Sequence, residues 1–262
     1  MQERNEYLLK KGKRKMKITV LGMWGGFPRP GEATSGYLIQ SETTSVLLDC
    51  GSGVLSQLLL HFPVNELDAI VLSHYHADHC CDIGVMQYAR LVHQAMQGLC
   101  QPLPIYGFDN GIDFQRLTYF RESSITEGIA YQNQQAFQIG DLSFLPFRTL
   151  HAVECYGFRI QGPGKTICYT ADGGFCPDQI IAAKDVDLLL SEANFSHEGL
   201  SLALGNHMTG TQVGQLAQEA NVKQLVLTHL PPLKDSKPIY DEVVREYSGP
   251  TELAKLGLVI SL

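Results

Sequence analysis

The stretch that decides the fold is Ala69-Ile-Val-Leu72, followed directly by Ser73-His74-Tyr75-His76-Ala77-Asp78-His79. The short apolar, β-branched run predicts a buried strand, and four side chains with metal-binding groups follow where that strand ends. Divalent cations of intermediate softness prefer imidazole nitrogen together with carboxylate oxygen, and a catalytic cation keeps one position open for water. The sequence therefore predicts a metal site at the end of a buried strand.

Spacing within this stretch favours two cations. His74 and His76 are two positions apart and can turn to the same side of an extended segment, whereas Asp78 and His79 lie further along and can face a second cation. Donors that follow several different strands can be held rigidly by the sheets behind them. Three further donors each come just after a predicted strand: His151 after Leu142–Phe147, Asp172 after Thr166–Tyr169, and His229 after Gln224–Leu227.

The chain alternates predicted strands and helices, which indicates an α/β fold. Neither a Pro/Gly/Ser linker nor a short repeat divides it, so residues 16–262 are expected to form one domain. The region 100–137 is the least regular, and we expect a surface helix there rather than a lid. The other predicted strands are 18–21, 37–39, 45–48, 186–190 and 224–227, and the predicted helices are 54–61, 83–96 and 213–220.

Composition limits the functional classes. Of 262 residues, 44% are hydrophobic and 18% charged, which suits a globular core, and the formal net charge is −7. That charge disfavours long nucleic acid, which needs clustered Lys and Arg, but it permits a short phosphorylated substrate. Seven cysteines without a CxxC pair are typical of a reduced compartment. We expect a cytoplasmic protein with no membrane segment and no signal sequence.

Two features near the N-terminus are less specific. Residues 1–15, which end in Lys10-Lys-Gly-Lys-Arg-Lys15, are basic and are expected to form a solvated extension. In the following glycine-rich loop, Trp24, Phe27 and Arg29 could line the mouth of a pocket. An ordinary turn with no role in the chemistry explains these residues equally well.

The order of the motifs resembles the metallo-β-lactamase superfamily. His74-x-His76-x-Asp78-His79, then His151, Tyr169-Thr-Ala-Asp172 and Leu227-Thr-His229 look like its successive motifs, and the resemblance covers residues 17–262. It implies a four-layer αββα sandwich with the metals at one edge of the two sheets. It also implies that His74, His76 and His151 bind one cation, that Asp78, His79 and His229 bind the other, and that Asp172 bridges them.

Within the superfamily, two further motifs resemble ribonuclease Z and related phosphodiesterases. Ser191-Glu192-Ala-Asn-Phe195 and Asn206-His207-Met-Thr209 look like their acidic strand end and histidine-threonine motif. The resemblance implies that Glu192 orients His207, which stabilises phosphoryl oxygens and assists the leaving oxygen. Thr209-Gly-Thr-Gln212 is a capping-box pattern, so His207 is expected just before a helix N-terminus, where anions are favoured. The expected catalytic residues are thus Asp78, Glu192 and His207.

The chain departs from ribonuclease Z between His151 and Asp172, where 21 positions are too few for the arm with which those enzymes grip transfer RNA. Gln161-Gly-Pro-Gly164 predicts a tight hairpin instead. We therefore expect a phosphodiesterase that uses a metal-bridging hydroxide on a small or cyclic phosphodiester.

Alternatives remain open at this point. Ribonuclease Z-like processing of the transfer RNA 3′ end is one, and hydrolysis of an acyl ester, thioester or lactone is another. A non-catalytic metal-binding module has the least support. The expected cofactors are two divalent cations, Zn²⁺ first and Mn²⁺ or Fe²⁺ as substitutes. The expected partner is a small-molecule phosphodiester, and a homodimer is left open.

Overall fold

The computed structural model describes residues 16–98, 101–121, 124–199 and 205–262, so the expected extension at 1–15 lies outside the described residues. Strands and helices are mixed along this part of the chain. The strands are β1 Lys17–Gly22, β2 Gly36–Gln40, β3 Ser45–Leu48, β4 Ala69–Val71, β5 Leu103–Phe108, β6 Thr126–Tyr131, β7 Phe137–Ile139, β8 Leu142–Arg148, β9 Tyr156–Gly162, β10 Lys165–Tyr169, β11 Leu188–Glu192, β12 Leu225–Thr228, β13 Thr251–Leu253 and β14 Val259–Ser261. The α-helices are α1 Val54–Leu58, α2 Ala77–Cys80, α3 Ile83–Gln97, α4 Ile112–Thr118, α5 Pro177–Ala183, α6 Gly210–Glu219 and α7 Lys237–Glu246.

The strands form two sheets of similar construction. The order is β14-β1-β2-β3-β4-β5-β6 in the first and β13-β12-β11-β10-β9-β8-β7 in the second. In each sheet one half is antiparallel, while the other half, β3 to β6 or β10 to β13, is parallel. Because the metal-binding motifs follow β4, β10 and β12 directly, the parallel halves bring them to one edge of the two sheets.

The main core lies between the sheets. Successive side chains of a strand point to opposite faces, and in β2 and β3 one set, including Ile39 and Val46, joins the core that contains Phe144, Phe158 and Tyr169 of the second sheet. The alternate set packs on helices: Leu38 and Leu47 belong to a separate cluster with Val54 and Leu58 of α1 and with Ile83 and Met86 of α3.

Helices cover the outer face of the second sheet as well. Val213, Leu216 and Ala217 of α6 are fully buried in the main cluster, and Ala182 and Ala183 of α5 belong to it too. Helix, sheet, sheet and helix therefore form four layers, which confirms the predicted αββα sandwich.

The prediction for the region 100–137 was incomplete. Its described residues contain the expected helix α4, but also the strands β5 and β6 and the first residue of β7. Pro104 and Gly107 interrupt the apolar pattern of β5 and depress its strand signal, yet β5 pairs in parallel with β6 over six residues. The predicted helix 54–61 is also shorter, ending at Leu58.

One other expectation is met. β9 and β10 pair from Gly162 with Lys165, so Pro163 and Gly164 form a two-residue turn, and Gly164 has the positive φ of 71° that such turns require. The predicted tight hairpin is thus confirmed. Among the described residues, no helix is long and apolar enough to cross a membrane.

Candidate metal centre

Three imidazoles and one carboxylate form a first ligand cluster. His76 Nδ1 lies 3.1 Å from His74 Nε2 and 3.1 Å from His151 Nε2. Asp172 Oδ2 lies 3.8 Å from the same two Nε2 atoms. His74 and His76 come from the loop after β4, whereas His151 and Asp172 follow β8 and β10, so the cluster joins the two sheets.

A second cluster adjoins the first. His229 Nε2 lies 3.2 Å from Asp78 Oδ2 and 3.3 Å from Asp172 Oδ2. His79 Nε2 lies 3.6 Å from Asp78 Oδ2 and 3.2 Å from Asp172 Oδ1. Asp172 belongs to both clusters, so the structure groups all seven predicted ligands as the sequence divided them.

The donor atoms are better suited to binding a divalent cation than to forming hydrogen bonds with one another. His79 Nε2 and Asp172 Oδ1 are buried and have no hydrogen-bond partner among the described residues, which is costly for polar atoms in a protein interior. Burial keeps the pKa of His74 well below its ordinary value, so its ring is neutral, as a ligand must be. Burial alone would raise the pKa of Asp172, but His229 and His79 outweigh it and hold that pKa well below the ordinary value.

Hydrogen bonds at the outer ring nitrogens orient these histidines. A carboxylate can only accept, so His79 Nδ1 donates its proton to Asp49 Oδ2 at 2.8 Å, and Nε2 is the nitrogen that faces Asp78 and Asp172. His151 Nδ1 similarly donates to the carbonyl oxygen of Asn206 at 3.1 Å. Such outer partners fix the tautomer and the orientation of metal-binding histidines.

Asp49 is held in turn by its own donors. Its carboxylate accepts from the Ser73 amide at 2.7 Å, from the Ser73 hydroxyl at 2.8 Å and from the Tyr169 hydroxyl at 2.8 Å. Tyr169 lies on the second sheet and Asp49 follows the first, so this fully buried carboxylate ties the two sheets together beside the metal ligands.

The backbone adopts positive φ angles just after the strands that precede the candidate ligands. Asp49, Ala171 and His229 have φ values of 57°, 51° and 50°, which non-glycine residues adopt rarely. Strained conformations of this kind persist where the surrounding structure imposes them, and they concentrate at functional sites. Here they turn the chain so that Asp172 and His229 face the clusters.

The first glycine-rich loop approaches the second cluster closely. The amide of Gly26 donates to Asp78 Oδ2 at 2.7 Å. A Cβ on Gly25 would lie 2.6 Å from Cε1 of His229, closer than any real contact. The glycine at position 25 therefore makes room for the imidazole, and its neighbour fixes the carboxylate.

His207 and Glu192 form a pair beside the ligands. His207 Nδ1 lies 3.1 and 3.2 Å from the two carboxylate oxygens of Glu192. Glu192 is 1% exposed and also accepts from the amide of Gly173 at 2.6 Å. Burial opposes a charge on the imidazole, but the Glu192 carboxylate outweighs burial and raises the pKa of His207 to about 9.

The pair adjoins both clusters. The ring centroid of His207 lies 5.2 Å from that of His151 and 5.4 Å from that of His229. The predicted capping box is present, with Thr209 as the N-cap of α6, so His207 lies two residues before the cap. Since Glu192 occupies Nδ1, Nε2 is the nitrogen available to a substrate.

Sequence reasoning missed several residues of the site. Asp49, Asn206, Gly25 and Gly26 were not assigned a contact. Asp49 lies 30 positions from His79, Asn206 lies 55 from His151, and Gly26 lies 52 from Asp78. The glycine-rich composition of residues 22–28 was the one local signal for Gly25 and Gly26.

Residues 44–230 match the family described as the Beta-lactamase superfamily domain. The chain belongs to this superfamily. Among relatives in it, the probable metallo-hydrolase YhfI of Bacillus subtilis (strain 168) is 44% identical over 245 residues, which are 93% of this chain and 99% of the relative. Ribonuclease Z of Myxococcus xanthus (strain DK1622) is 25% identical over 304 residues, which cover 94% of this chain and 98% of the relative.

Solved structures of the superfamily agree with the fold. The crystal structure of YhfI from Bacillus subtilis has a TM-score of 0.89 at 42% identity and covers 95% of this chain and 100% of that one. A diphosphatase of the PhnP family has a TM-score of 0.73 at 20% identity, with coverage of 95% and 98%, and shows the fold alone. Membership of a metallo-hydrolase family supports the expectation of a metal-dependent hydrolase.

Proposed function

We propose that this chain is a phosphodiesterase that depends on two divalent cations and cleaves a small or cyclic phosphodiester. The observation that carries the proposal is the Glu192–His207 pair, whose atoms lie 3.1 Å apart beside both ligand clusters. A charged imidazole next to the metal ligands suits a substrate that bears negative charge on its reacting centre.

In this proposal, each ligand is assigned to one of the two cations or to both. His74, His76 and His151 would hold one cation, Asp78, His79 and His229 the other, and Asp172 would bridge them. When bound there, two cations supply an ionised water and neutralise the charge on the phosphoryl oxygens. Zn²⁺ suits the His and Asp donors, and Mn²⁺ or Fe²⁺ could replace it.

The protein groups perform the remaining steps. His207, protonated at neutral pH because of Glu192, donates a hydrogen bond from Nε2 to a phosphoryl oxygen and then a proton to the leaving oxygen. Asp78 Oδ2 is held by the Gly26 amide, so the carboxylate keeps one orientation and can accept a hydrogen bond from the attacking water. Both roles rest on positioning, because His207 and Asp78 are fixed before substrate binds.

The short hairpin supports a small substrate. β9 and β10 are joined by the two residues Pro163 and Gly164, so this segment has no arm with which to grip a folded RNA. The formal net charge of −7 agrees, because binding a long phosphate backbone requires basic clusters. The relative named ribonuclease Z keeps transfer RNA processing as the second candidate.

Acyl hydrolysis is a third candidate and has less support. Ester, thioester and lactone hydrolysis can use the same metal ligands, but it gives no role to a histidine held in the charged form by a buried carboxylate. A non-catalytic metal-binding module would leave the Glu192–His207 pair without a role as well. A homodimer, a cytoplasmic location and a single domain over 16–262 stay predictions.

A substrate panel tests the proposal. Metal-replete protein is assayed with a 2′,3′-cyclic nucleotide, a precursor transfer RNA and p-nitrophenyl butyrate, with chelator-treated protein as the control. We expect metal-dependent hydrolysis of the cyclic nucleotide, with the other two cleaved far more slowly. Efficient cleavage of the precursor transfer RNA alone, or of the acyl ester alone, would contradict the proposal.

A further inference from the structure

A cavity of about 880 Å³ opens beside the second ligand cluster. Three of its lining residues connect it to the metal centre. Asn194 donates from its amide to the carbonyl oxygen of His229 at 2.9 Å, and the Phe195 ring centroid lies 6.0 Å from that of His207. Phe27 directly follows Gly26, whose amide holds Asp78. The cavity therefore adjoins the second ligand cluster and His207, although its lining includes none of these residues.

The walls of this cavity are largely apolar. Phe27, Phe195, Pro231, Leu233 and Ile239 line it. Phe27 is 49% exposed and Leu233 is 83% exposed, so both contribute apolar surface that the fold itself does not bury. Ligand sites combine apolar and aromatic walls with a few polar groups, and aromatic faces favour planar rings.

The charged residues of the lining have a negative excess. Glu198, Asp235, Asp241 and Glu242 face two basic residues, Lys234 and Arg245. Asp241 is also paired with Lys237 at 2.8 Å, so four carboxylates against three cations leave a formal charge of −1, which disfavours a second phosphate or a carboxylate. A neutral or positively charged group therefore suits this cavity better than an anion.

A stacked pair keeps one wall of the cavity in place. The guanidinium of Arg29 lies 3.9 Å from the ring centroid of Trp24 and donates to the carbonyl oxygens of Pro232 and Lys234 at 2.8 and 3.1 Å. The indole of Trp24 donates to a carboxylate oxygen of Glu32. The Arg29–Trp24 stack thus fixes the loop that carries Leu233, so the cavity is formed before a ligand enters.

We propose that this cavity binds the neutral planar ring of the substrate, a nucleobase, and so selects cyclic nucleotides over phosphodiesters that lack a base. This inference rests on the proposed function for its link to catalysis, although ring binding itself does not require hydrolysis. It places the specificity of the enzyme in Phe27 and Leu233, outside the metal ligands.

Binding is tested with adenosine, which carries no phosphate, by titration calorimetry on metal-replete protein. We expect binding by the wild type that weakens about tenfold in Phe27→Ala and in Leu233→Ala, as the loss of one ring or side-chain contact predicts. Ile112→Ala is the matched control, since Ile112 is 81% exposed and does not line the cavity. Absence of heat with adenosine at millimolar concentration, or equal affinity in all variants, would overturn the inference.

A kinetic measurement separates this inference from the proposed function. The ratio of kcat/KM for a 2′,3′-cyclic nucleotide to that for a cyclic sugar phosphate without a base should fall about tenfold in Phe27→Ala and Leu233→Ala. An unchanged ratio alongside efficient hydrolysis would overturn the cavity assignment and leave the phosphodiesterase intact. If no phosphodiester is cleaved, the proposed function is contradicted. The calorimetry alone then tests whether the cavity binds a nucleobase. A dimer that Leu233→Asp dissociates, with no adenosine binding, would assign the cavity to a second copy and overturn the inference.

Discussion

The imidazole of His207 stacks on that of His229, with ring centroids 5.4 Å apart and an interplanar angle of 13°. His229 belongs to the second ligand cluster, whereas His207 is held by Glu192 and comes from the start of α6. The stack places the protonated imidazole of His207 next to the seven candidate metal ligands, although His207 is not one of them. Removing His207 should therefore separate catalysis from metal binding.

Replacing His207 with Ala should lower kcat on a phosphodiester by about 10²- to 10⁴-fold, the usual contribution of a positioned acid. Metal content measured by mass spectrometry should stay at the wild-type value. His61→Ala is the matched control, because His61 is exposed and lies outside the clusters. Phosphodiester cleavage that survives in His207→Ala would contradict the role of His207 as the acid.

Replacing Glu192 with Gln should move the alkaline limb of the pH profile to lower pH. Burial disfavours the imidazolium, and the Glu192 carboxylate outweighs burial to raise the pKa of His207 to about 9, so the acid form persists up to that pH. An amide keeps the hydrogen bond from Gly173 but removes the negative charge, and the pKa falls. The profile of kcat/KM against pH measures the change, and an unshifted limb would count against His207 as the acid.

A methyl group at position 25 should weaken the second metal site. In Gly25→Ala the new Cβ meets the Asn194 amide nitrogen at 2.5 Å and Cε1 of His229 at 2.6 Å, so the side chains that line the second cluster must shift. We expect metal affinity at that site to fall about 10- to 100-fold, the usual effect of disturbing a ligand's support. Gly84→Ala is the control, because no atom lies within 4 Å of the added Cβ. Equal metal affinity in the two variants would show that the close approach is not needed.

Asp187 should stabilise the fold through its charge, away from the site. Its carboxylate accepts from the Thr166 amide and from Lys165 and Lys223 at 2.9 to 3.1 Å. Burial alone would raise its pKa, but these donors outweigh burial and lower it to about 2. A lowered pKa gives stability that is present above the ordinary value of an aspartate and is lost as pH falls toward 2.

Asp187→Asn should therefore lower the free energy of unfolding by about 1 kcal/mol. The difference from wild type should be the same at pH 8 and at pH 5, because the carboxylate is charged at both. Denaturant unfolding at the two pH values measures it. A difference that disappears by pH 5 would show that the donors do not hold the carboxylate in its charged form.

The grouping of the seven candidate ligands could be predicted from sequence because they lie in a dense motif and at strand ends. Asp78 and His79 adjoin in the chain, and His151, Asp172 and His229 each follow an apolar run. What the sequence could not supply were contacts between distant segments. Asp49 binds a histidine 30 positions away and a tyrosine 120 positions away, and nothing local to Asp49 specifies either partner.

The sequence prediction of some fold details failed for a different reason. β5 carries Pro104 and Gly107, which interrupt the strand pattern, and pairing with β6 overrides that weak local preference. The cavity also left no local signal, because Phe27, Phe195, Leu233 and Ile239 come from separate segments. The sequence alone could not assign a role to Trp24, Phe27 and Arg29. The structure shows that two of them, Arg29 and Trp24, stack on each other.

The Arg29–Trp24 stack has a spectroscopic consequence. Trp24 is the only tryptophan of the chain, and it is 5% exposed against a guanidinium that also holds the loop after His229. Its ultraviolet emission therefore arises from a single indole at the rim of the catalytic region. Changes in intensity or wavelength would track movement of that rim in unlabelled protein, in real time, as cations or ligands are added.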